Sequence, residues 1–239
     1  MVAITNRYPN QVYAWEVWNE PNGKKPNEQD PNPKAYVQLL QVIYPAIKAS
    51  DLKIQVIAGA LQPRLTAVQY PEDISARDFL TRMYTYAKGV GATQYFDAIS
   101  FHPYTDGHSP DYFDSKFLEW SYKDSVPALR QVMQVNNDSS PIWITEFGYT
   151  TITPTNCVDC WDSVAVSETD QAKYLTSAIK IAQAWQGAEV AVWLYYGLID
   201  KNSSSTSFDD HFGLFTFKKD NLIPKSAVSE FKSFTVASP

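Results

Sequence analysis

The sequence lacks the features that mark several large classes of protein. No stretch approaches the roughly 18 apolar residues of a membrane-spanning helix, and Met1 is not followed by the basic segment and apolar core of an export signal. Twenty basic residues against 26 acidic residues give a net charge of −6, and the basic residues form no cluster that could follow a phosphate backbone. We therefore expect neither a membrane nor a nucleic acid as a partner.

Cysteine is scarce, because the sequence has only Cys157 and Cys160. With no second pair and no nearby histidine, these two residues cannot complete a four-ligand zinc site. They follow a loop-like stretch, whereas a thioredoxin-like pair opens a helix, so a redox role is disfavoured. A disulfide within the loop and two free thiols both remain open.

The common cofactor motifs are also missing. The sequence contains neither G-x-G-x-x-G nor G-x-x-x-x-G-K-[ST], it has no H-E-x-x-H, and its three histidines lack the paired spacing of metal ligands. We therefore expect no metal and no other cofactor.

The composition is that of one large folded unit. With 239 residues, of which 44% are hydrophobic, the chain can bury a sizeable core, and we predict a single α/β domain over residues 1–239. Apolar spacings of three and four predict helices between the strands, and Ser75 and Ser167 begin patterns that resemble capping boxes. Runs rich in Val, Ile, Trp and Tyr predict five strands, at about 11–18, 53–60, 96–103, 141–147 and 189–198.

Strict alternation of strands and helices predicts a parallel sheet, and strands that are apolar almost throughout indicate a sheet covered on both faces or closed into a barrel. A doubly wound sheet is the alternative, but it would need a glycine-rich phosphate turn. In a (β/α)8 barrel the working residues lie at the carboxyl ends of several strands, which is where Glu20, His102, Tyr104 and Glu146 fall. We therefore predict an α/β fold of the (β/α)8 TIM-barrel type.

The number of predicted units is too small for a closed barrel. Eight units normally take about 250 residues, and this sequence supplies about five units. Residues 1–10 are predicted to be the end of a helix and its loop, so the first strand would be the fourth of a barrel. Because unpaired parallel edges tend to recruit another chain, we expect a partial barrel or a homodimer or other oligomer that covers those edges.

Two of the predicted strands end at a glutamate. In residues 15–21 (WEVWNEP) and in residues 143–148 (WITEFG), an apolar run stops at Glu20 or Glu146, and Pro or Gly follows within two residues. Cleaving a glycosidic bond needs two carboxyl groups on either side of one acetal, as proton donor and as nucleophile or base. A single strand-end glutamate usually only meets solvent, but two at matching strand ends form a candidate catalytic pair.

The residues around both glutamates resemble the paired signatures of the clan A glycoside hydrolases, W-N-E-P at 18–21 and T-E-F-G at 145–148. The resemblance is strongest to family 39 and to related branches of family 5. It covers nearly the whole chain, but only the fourth to eighth β/α units of that fold. Further support comes from S-F-H-P-Y at 100–104, similar to the clan's sixth-strand motif, and from I-A-G-A at 57–60, F-G-L at 212–214 and P-K at 224–225.

The resemblance assigns roles to the residues of the first motif. Glu20 would be the acid/base and Glu146 the nucleophile of a retaining double displacement, which requires carboxyl groups about 5 to 5.5 Å apart. The apolar neighbours Trp18 and Pro21 are expected to raise the pKa of Glu20. Asn19 would bind the 2-hydroxyl of the sugar, although a strand-end side chain that caps local backbone is the alternative.

Four further residues are expected near the carboxylates. Tyr104 would donate a hydrogen bond to Glu146 and keep it ionised, and His102 would line the same pocket, unless it is simply a buried and satisfied histidine. Trp193 and Tyr195, two positions apart, are candidates for an aromatic platform under the sugar, with packing against a helix as an equally good explanation.

Two other features bear on the site. Glu16 is interpreted as a paired barrel or pocket residue and not as a third catalytic acid. The serine-rich segment 200–212 is predicted to form a mobile rim.

The resemblance implies a retaining β-glycoside hydrolase that acts on β-linked glycosides or polysaccharides without a cofactor. Because the family's first three strands also supply pocket residues, the alternative is a catalytically weak or inactive truncated barrel that binds carbohydrate or acts as a scaffold. An aldolase-like barrel would need a Schiff-base lysine at a strand end and a late phosphate site, and neither is found. Transglycosylation uses the same carboxylates, so it stays open, as do the sugar and the linkage. A longer parent protein is expected to be secreted or periplasmic.

Overall fold

The computed structural model describes residues 1–24, 29–63, 74–92, 95–113, 115, 118–152, 157, 164–185, 190–201, 204–218 and 221–235. Within these residues five parallel strands form one sheet in the order β1-β2-β3-β4-β5, which confirms the predicted parallel α/β fold. The strands are β1 (Ala14–Val17), β2 (Gln55–Leu61), β3 (Ala98–Phe101), β4 (Ile142–Ile144) and β5 (Val190–Trp193).

Helices alternate with the strands as predicted, and the first begins near the start of the chain. Three begin at a side-chain cap: Asn32 accepts from the amide of Ala35, and Ser75 and Ser167 accept from the amides three residues on, as their patterns predicted. The helices are α1 (Val2–Arg7), α2 (Pro33–Ser50), α3 (Ala76–Gly89), α4 (Tyr122–Val135), α5 (Glu168–Ala184) and α6 (Ser226–Thr235).

An antiparallel hairpin precedes α6 and was not predicted. Its strands, β6 (Phe215–Lys218) and β7 (Asn221–Pro224), pair with each other and lie outside the main sheet. Every residue of β7 is exposed, so the sequence has no buried alternation that would have indicated a strand.

The observed strands are shorter than the predicted ones. The fourth run was predicted over 141–147, whereas β4 ends at Ile144. The residues after it remain apolar because Phe147 and Tyr149 are fully buried in the turn that follows. Apolar character therefore marks burial beyond the strand end as well as the strand itself.

The helices pack on the outer face of the sheet and form the main core with it. Leu40 and Ile47 of α2, Phe79 and Met83 of α3 and Leu129 of α4 are among its fully buried side chains. Each such residue contributes roughly 1.5 to 3 kcal/mol through removal of apolar surface from water. Within the described ranges, no helix is both long enough and apolar enough to cross a membrane.

The sheet is strongly curved, because residues of β1 and β4 meet across its inner face. The hydroxyl of Thr145 donates to Glu16 at 2.7 Å, and the rings of Tyr13 and Trp143 stack with centroids 6.1 Å apart. In a flat sheet, strands three positions apart would be separated by roughly 14 Å. The five strands therefore form the wall of an incomplete barrel, with a carboxyl-end rim that gathers residues from several strands.

Candidate active site

The turn after β1 is strained and brings Glu20 to the carboxyl end of the sheet. Trp18 and Glu20 have positive φ values of 72° and 50°, which is uncommon for residues other than glycine and costs of order 1 to 3 kcal/mol each. The amide of Glu20 donates to the carbonyl of Ala60 at 3.1 Å, so the turn is tied to the end of β2. Such strain is typical of functional sites because the surrounding structure must hold it in place.

A buried asparagine that the sequence reasoning missed fixes the same turn. The side-chain amide of Asn22 donates to the carbonyls of Gln62 and Ile74, and its oxygen accepts from the amide of Gln62. Asn22 is fully buried, so it replaces lost hydration with three hydrogen bonds. Its position directly after the W-N-E-P motif was the available signal.

Glu146 lies opposite Glu20, and one histidine lies between the two carboxylates. Nδ1 of His102 is 3.3 Å from Oε1 of Glu20 and 3.6 Å from Oε2 of Glu146. The hydroxyl of Tyr104 donates to the same oxygen of Glu146 at 3.0 Å. The structure therefore brings together the four residues that the sequence placed at strand ends, and His102 among them is fully buried with partners at both ring nitrogens.

Burial and like charge work against ionisation of Glu146. Loss of hydration raises the pKa of this carboxyl, and the nearby carboxylates of Glu20 and Glu16 raise it further, whereas His102 and the hydrogen bond from Tyr104 lower it. The net shift is upward, and the hydrogen bond expected from Tyr104 opposes it. Burial also raises the pKa of Tyr104 well above its ordinary value, which keeps the phenol a donor.

The neighbours of Glu20 are more open than expected. Trp18 was expected to cover the carboxyl group, but its side chain is 59% exposed and gives it little apolar cover. Asn19 is exposed as well, and within the described residues its side chain makes no hydrogen bond, so it is not a local backbone cap. Its amide faces solvent beside Glu20.

Trp193 and Tyr195 do not join the carboxylates, which corrects the predicted platform. The indole of Trp193 donates to the hydroxyl of Tyr122 on α4, and its ring packs against Phe147. Tyr195 packs against the second hydrophobic cluster, which includes Leu175. Both rings therefore serve helix packing, the alternative that the sequence left open.

Tyr196, which was not among the predicted site residues, contacts Tyr104. Its ring lies edge-on to Tyr104 and to Phe212, and its hydroxyl accepts from Lys201. Sequence reasoning missed it because β5 ends at Trp193, so residues 195 and 196 lie beyond the strand, where alternate residues need not share a face.

Glu16 is confirmed as a paired barrel residue through its hydrogen bond from Thr145. Thr145, which directly precedes Glu146, also lies 3.1 Å from Nε2 of His102. Both residues stand behind the histidine and not at the mouth of the site. Within the described residues, no group of His, Cys, Asp and Glu side chains is arranged to hold a metal ion.

The segment predicted to be a mobile rim is anchored at both described ends. Asp200 and Lys225 form a buried ion pair at 2.7 Å, and the amide of Gly213 donates to the same carboxylate oxygen. Lys225 also contacts the hydroxyl of Thr151 and the carbonyl of His211. Residues 202–203 lie outside the described residues.

Cys157 is disulfide-bonded, so the free-thiol alternative is wrong for this residue. The other cysteine of the pair, Cys160, lies outside the described residues.

Glycoside hydrolases are among the solved structures that share this fold. A family 39 glycoside hydrolase from Bacteroides cellulosilyticus WH2 matches 95% of this chain with a TM-score of 0.65 and 20% identity, and 41% of its own chain is covered. A family 39 enzyme from Xanthomonas axonopodis pv. citri matches 99% of this chain with a TM-score of 0.66 and 19% identity, with 44% of its own chain covered. The β-glucuronidase of Ruminococcus gnavus matches 98% with a TM-score of 0.57 and 18% identity, with 34% of its own chain covered.

These similarities define the class of fold. The chain adopts part of the barrel fold that these glycoside hydrolases have, and the resemblance inferred from the motifs is confirmed at the level of the fold. The chain spans less than half the length of the structures it matches. No protein-family model matches the chain, and no curated protein matches it in sequence.

Proposed function

We propose that this protein is a retaining β-glycoside hydrolase. The observation that carries the proposal is that the carboxylates of Glu20 and Glu146 both contact one nitrogen of His102, at 3.3 and 3.6 Å. Their two oxygens are therefore no farther apart than the sum of these distances. This upper limit is compatible with the separation of roughly 5 to 5.5 Å between the carboxyl groups of retaining enzymes. It lies near the lower end of the roughly 6.5 to 9.5 Å that separates the carboxyl groups of inverting enzymes.

The chemistry follows from the two positions. Glu20 gives its proton to the glycosidic oxygen while Glu146 bonds to the anomeric carbon, so the aglycone leaves and a glycosyl ester forms. Water then attacks the same carbon, Glu20 takes the proton of the water, and the ester bond to Glu146 breaks. Asn19, exposed beside Glu20, is the side chain that would contact the sugar 2-hydroxyl.

A panel of nitrophenyl β-glycosides tests the reaction and names the sugar. A β-glucuronide belongs in the panel because one group of structurally similar proteins is named for that activity. Glu146→Gln should reduce turnover on the order of a thousandfold or more, whereas the exposed Glu168→Gln, the same chemical change, should leave it unaltered. Equal activity in both variants would refute the assignment of Glu146.

The stereochemical outcome tests the retaining mechanism separately. Proton NMR of the first-formed product should show the β-anomer, and a 2-fluoro glycoside should label Glu146 in a peptide digest. A first-formed α-anomer would show inversion and would remove Glu146 from the nucleophile role.

The second candidate function is carbohydrate binding without turnover. It is favoured by the five-stranded wall, whose inner face has no opposite wall among the described residues, because catalysis depends on a site that excludes water. Saturable binding of a glycan by calorimetry, together with no hydrolysis by folded protein, would establish this function and reject the first.

We also propose that the protein is a homodimer. Among the described residues, β1 and β5 each have a paired strand on one side only, and such edges recruit further strands. Large apolar side chains are exposed next to both strands, with Tyr13 before β1 72% and Leu194 after β5 49% accessible. A second copy of the chain would cover both features.

A further inference from the structure

The ring of His102 is contacted at both nitrogens by groups from different parts of the chain. Nδ1 faces Glu20 and Glu146, while Nε2 lies 3.1 Å from Oγ1 of Thr145. The side chain is fully buried, so these protein groups decide where the ring protons reside.

The direction of one hydrogen bond settles the state of Nε2. The hydroxyl of Thr145 donates its single hydrogen to Oε1 of Glu16, at 2.7 Å. Its oxygen can then only accept from His102, so Nε2 must carry a hydrogen.

We propose that Glu16 and Thr145 are positioning residues that fix the Nε2–H tautomer of His102, which leaves Nδ1 as the nitrogen that serves both carboxylates. Neither residue touches the reacting atoms. This proposal rests on the proposed function, which gives Glu20 and Glu146 their roles, and it adds two residues that act on the same site.

The arrangement suits a reaction in which negative charge changes place. In the first displacement Glu20 loses its proton to the leaving oxygen while Glu146 becomes an ester, so the charge passes from Glu146 to Glu20. In this tautomer Nδ1 carries no hydrogen and can accept a hydrogen bond from protonated Glu20 before this step, and in the doubly protonated ring it can donate to the Glu20 carboxylate after the step. Neither state requires rotation of a ring that is held at Nε2. When water attacks, its proton returns to Glu20, the ester breaks, and the charge returns to Glu146.

Among the described residues, four charged or titratable groups face the ring. Glu20 and Glu146 lie at Nδ1, Glu16 lies beyond Thr145, and the ring of Tyr104 is edge-on at 6.3 Å. From β2 the contact is a backbone one, the carbonyl of Leu61 accepting from the amide of His102. A substitution of Glu16 should therefore directly change the NMR signals of the ring nitrogens of His102.

Nitrogen-15 NMR of histidine-labelled protein tests the tautomer. The chain has three histidines, so comparison with His102→Gln assigns the signals of the ring. In the native protein, Nε2 of the neutral ring should give the signal of a protonated nitrogen and Nδ1 the signal of an unprotonated one. In Glu16→Gln the new amide can donate to Thr145, whose hydrogen then turns toward Nε2, and the Nδ1–H tautomer should appear.

Variants at Thr145 supply the matched pair. Thr145→Val removes the hydroxyl and should release the tautomer, whereas Thr145→Ser keeps the hydroxyl and should retain the native spectrum. A native Nδ1–H tautomer, or native spectra in both Glu16→Gln and Thr145→Val, would overturn the proposal. If Thr145→Val does not fold, Glu16→Gln and Thr145→Ser still decide the matter.

The NMR result does not depend on turnover, so it can fail or succeed independently of the hydrolase proposal. Where the protein hydrolyses a glycoside, Glu16→Gln should lower kcat roughly 10- to 100-fold, the loss expected for one charge-assisted hydrogen bond. KM should change less than about threefold, and Thr145→Ser should keep native kcat. A change in KM alone would show that Glu16 acts on binding and not on the catalytic groups.

Discussion

At the scale of single residues, the hydrogen bond from Tyr104 to Glu146 should set the acid limb of activity. This bond is one of two interactions that lower the pKa of Glu146 against the larger effect of burial. Tyr104→Phe should therefore raise that pKa further, and the acid limb of kcat/KM should move to higher pH, with roughly tenfold lower activity at the optimum. The exposed Tyr8→Phe is the control, and an acid limb that stays in place would contradict the assignment.

Glu146 should also be a residue that weakens the fold at neutral pH. Its pKa is raised in the folded state, so the unfolded chain loses the proton first as pH rises, and the free energy of unfolding falls until the folded carboxyl has ionised too. Glu146→Gln lacks this loss. The free energy of unfolding of Glu146→Gln minus that of the native protein should be lowest near pH 4 and should increase toward pH 7, as measured by urea unfolding at each pH. A constant difference would contradict a raised pKa.

At the scale of elements, the pairing of β2 with β3 shifts register between Ala58 and Leu61, and this bulge should connect stability with the position of Glu20. Gly59 has a φ of 120°, and an added Cβ would lie 2.6 Å from the carbonyl oxygen of Ser100. The next residue, Ala60, supplies the carbonyl that holds the amide of Glu20. Gly59→Ala should therefore destabilise the protein by roughly 2 kcal/mol or more and reduce activity.

Gly89→Ala is the matched control for Gly59→Ala. An added Cβ at Gly89, the last residue of α3, meets nothing within 4 Å, so the fold should be unchanged or slightly more stable. Equal denaturation midpoints for the two variants would show that the bulge tolerates a side chain.

The ion pair of Asp200 and Lys225 should be essential to the hairpin region. Both side chains are almost fully buried, and burial lowers the pKa of Lys225 although its partner opposes the shift. Lys225→Met leaves a buried carboxylate without its cation, which should cost about 3 to 5 kcal/mol in thermal or urea unfolding. Lys173→Met breaks an exposed pair with Asp170 and should cost less than about 1 kcal/mol.

The elements show what a single sequence can predict here. The strands, the helices and the caps at Ser75 and Ser167 follow from local patterns. The motifs around Glu20 and Glu146 place both residues after the carboxyl ends of their strands. The positive φ values near Glu20, and the end of β5 at Trp193 that lets Tyr196 contact Tyr104, depend on contacts between distant parts of the chain. Local periodicity contains no information about such contacts.

At the scale of the whole molecule, curvature makes the site and also exposes the edges. The contacts of β1 with β4 roll five strands into part of a barrel, which brings Glu20, His102 and Glu146 together. The same rolling points β1 and β5 toward a gap that the described residues do not fill. A dimer would therefore complete a wall around the site as well as cover apolar surface.

A charge placed at one edge should disrupt that dimer. Leu194, just after β5, is 49% exposed, and a lysine there would have to be buried without a partner in an interface between strands. Light scattering of eluted protein should give twice the chain mass for the native protein and the single chain mass for Leu194→Lys. Leu52→Lys, at a 79% exposed position before β2 and away from both edges, should remain dimeric. A native protein of single chain mass would refute the dimer and leave the five-stranded wall open.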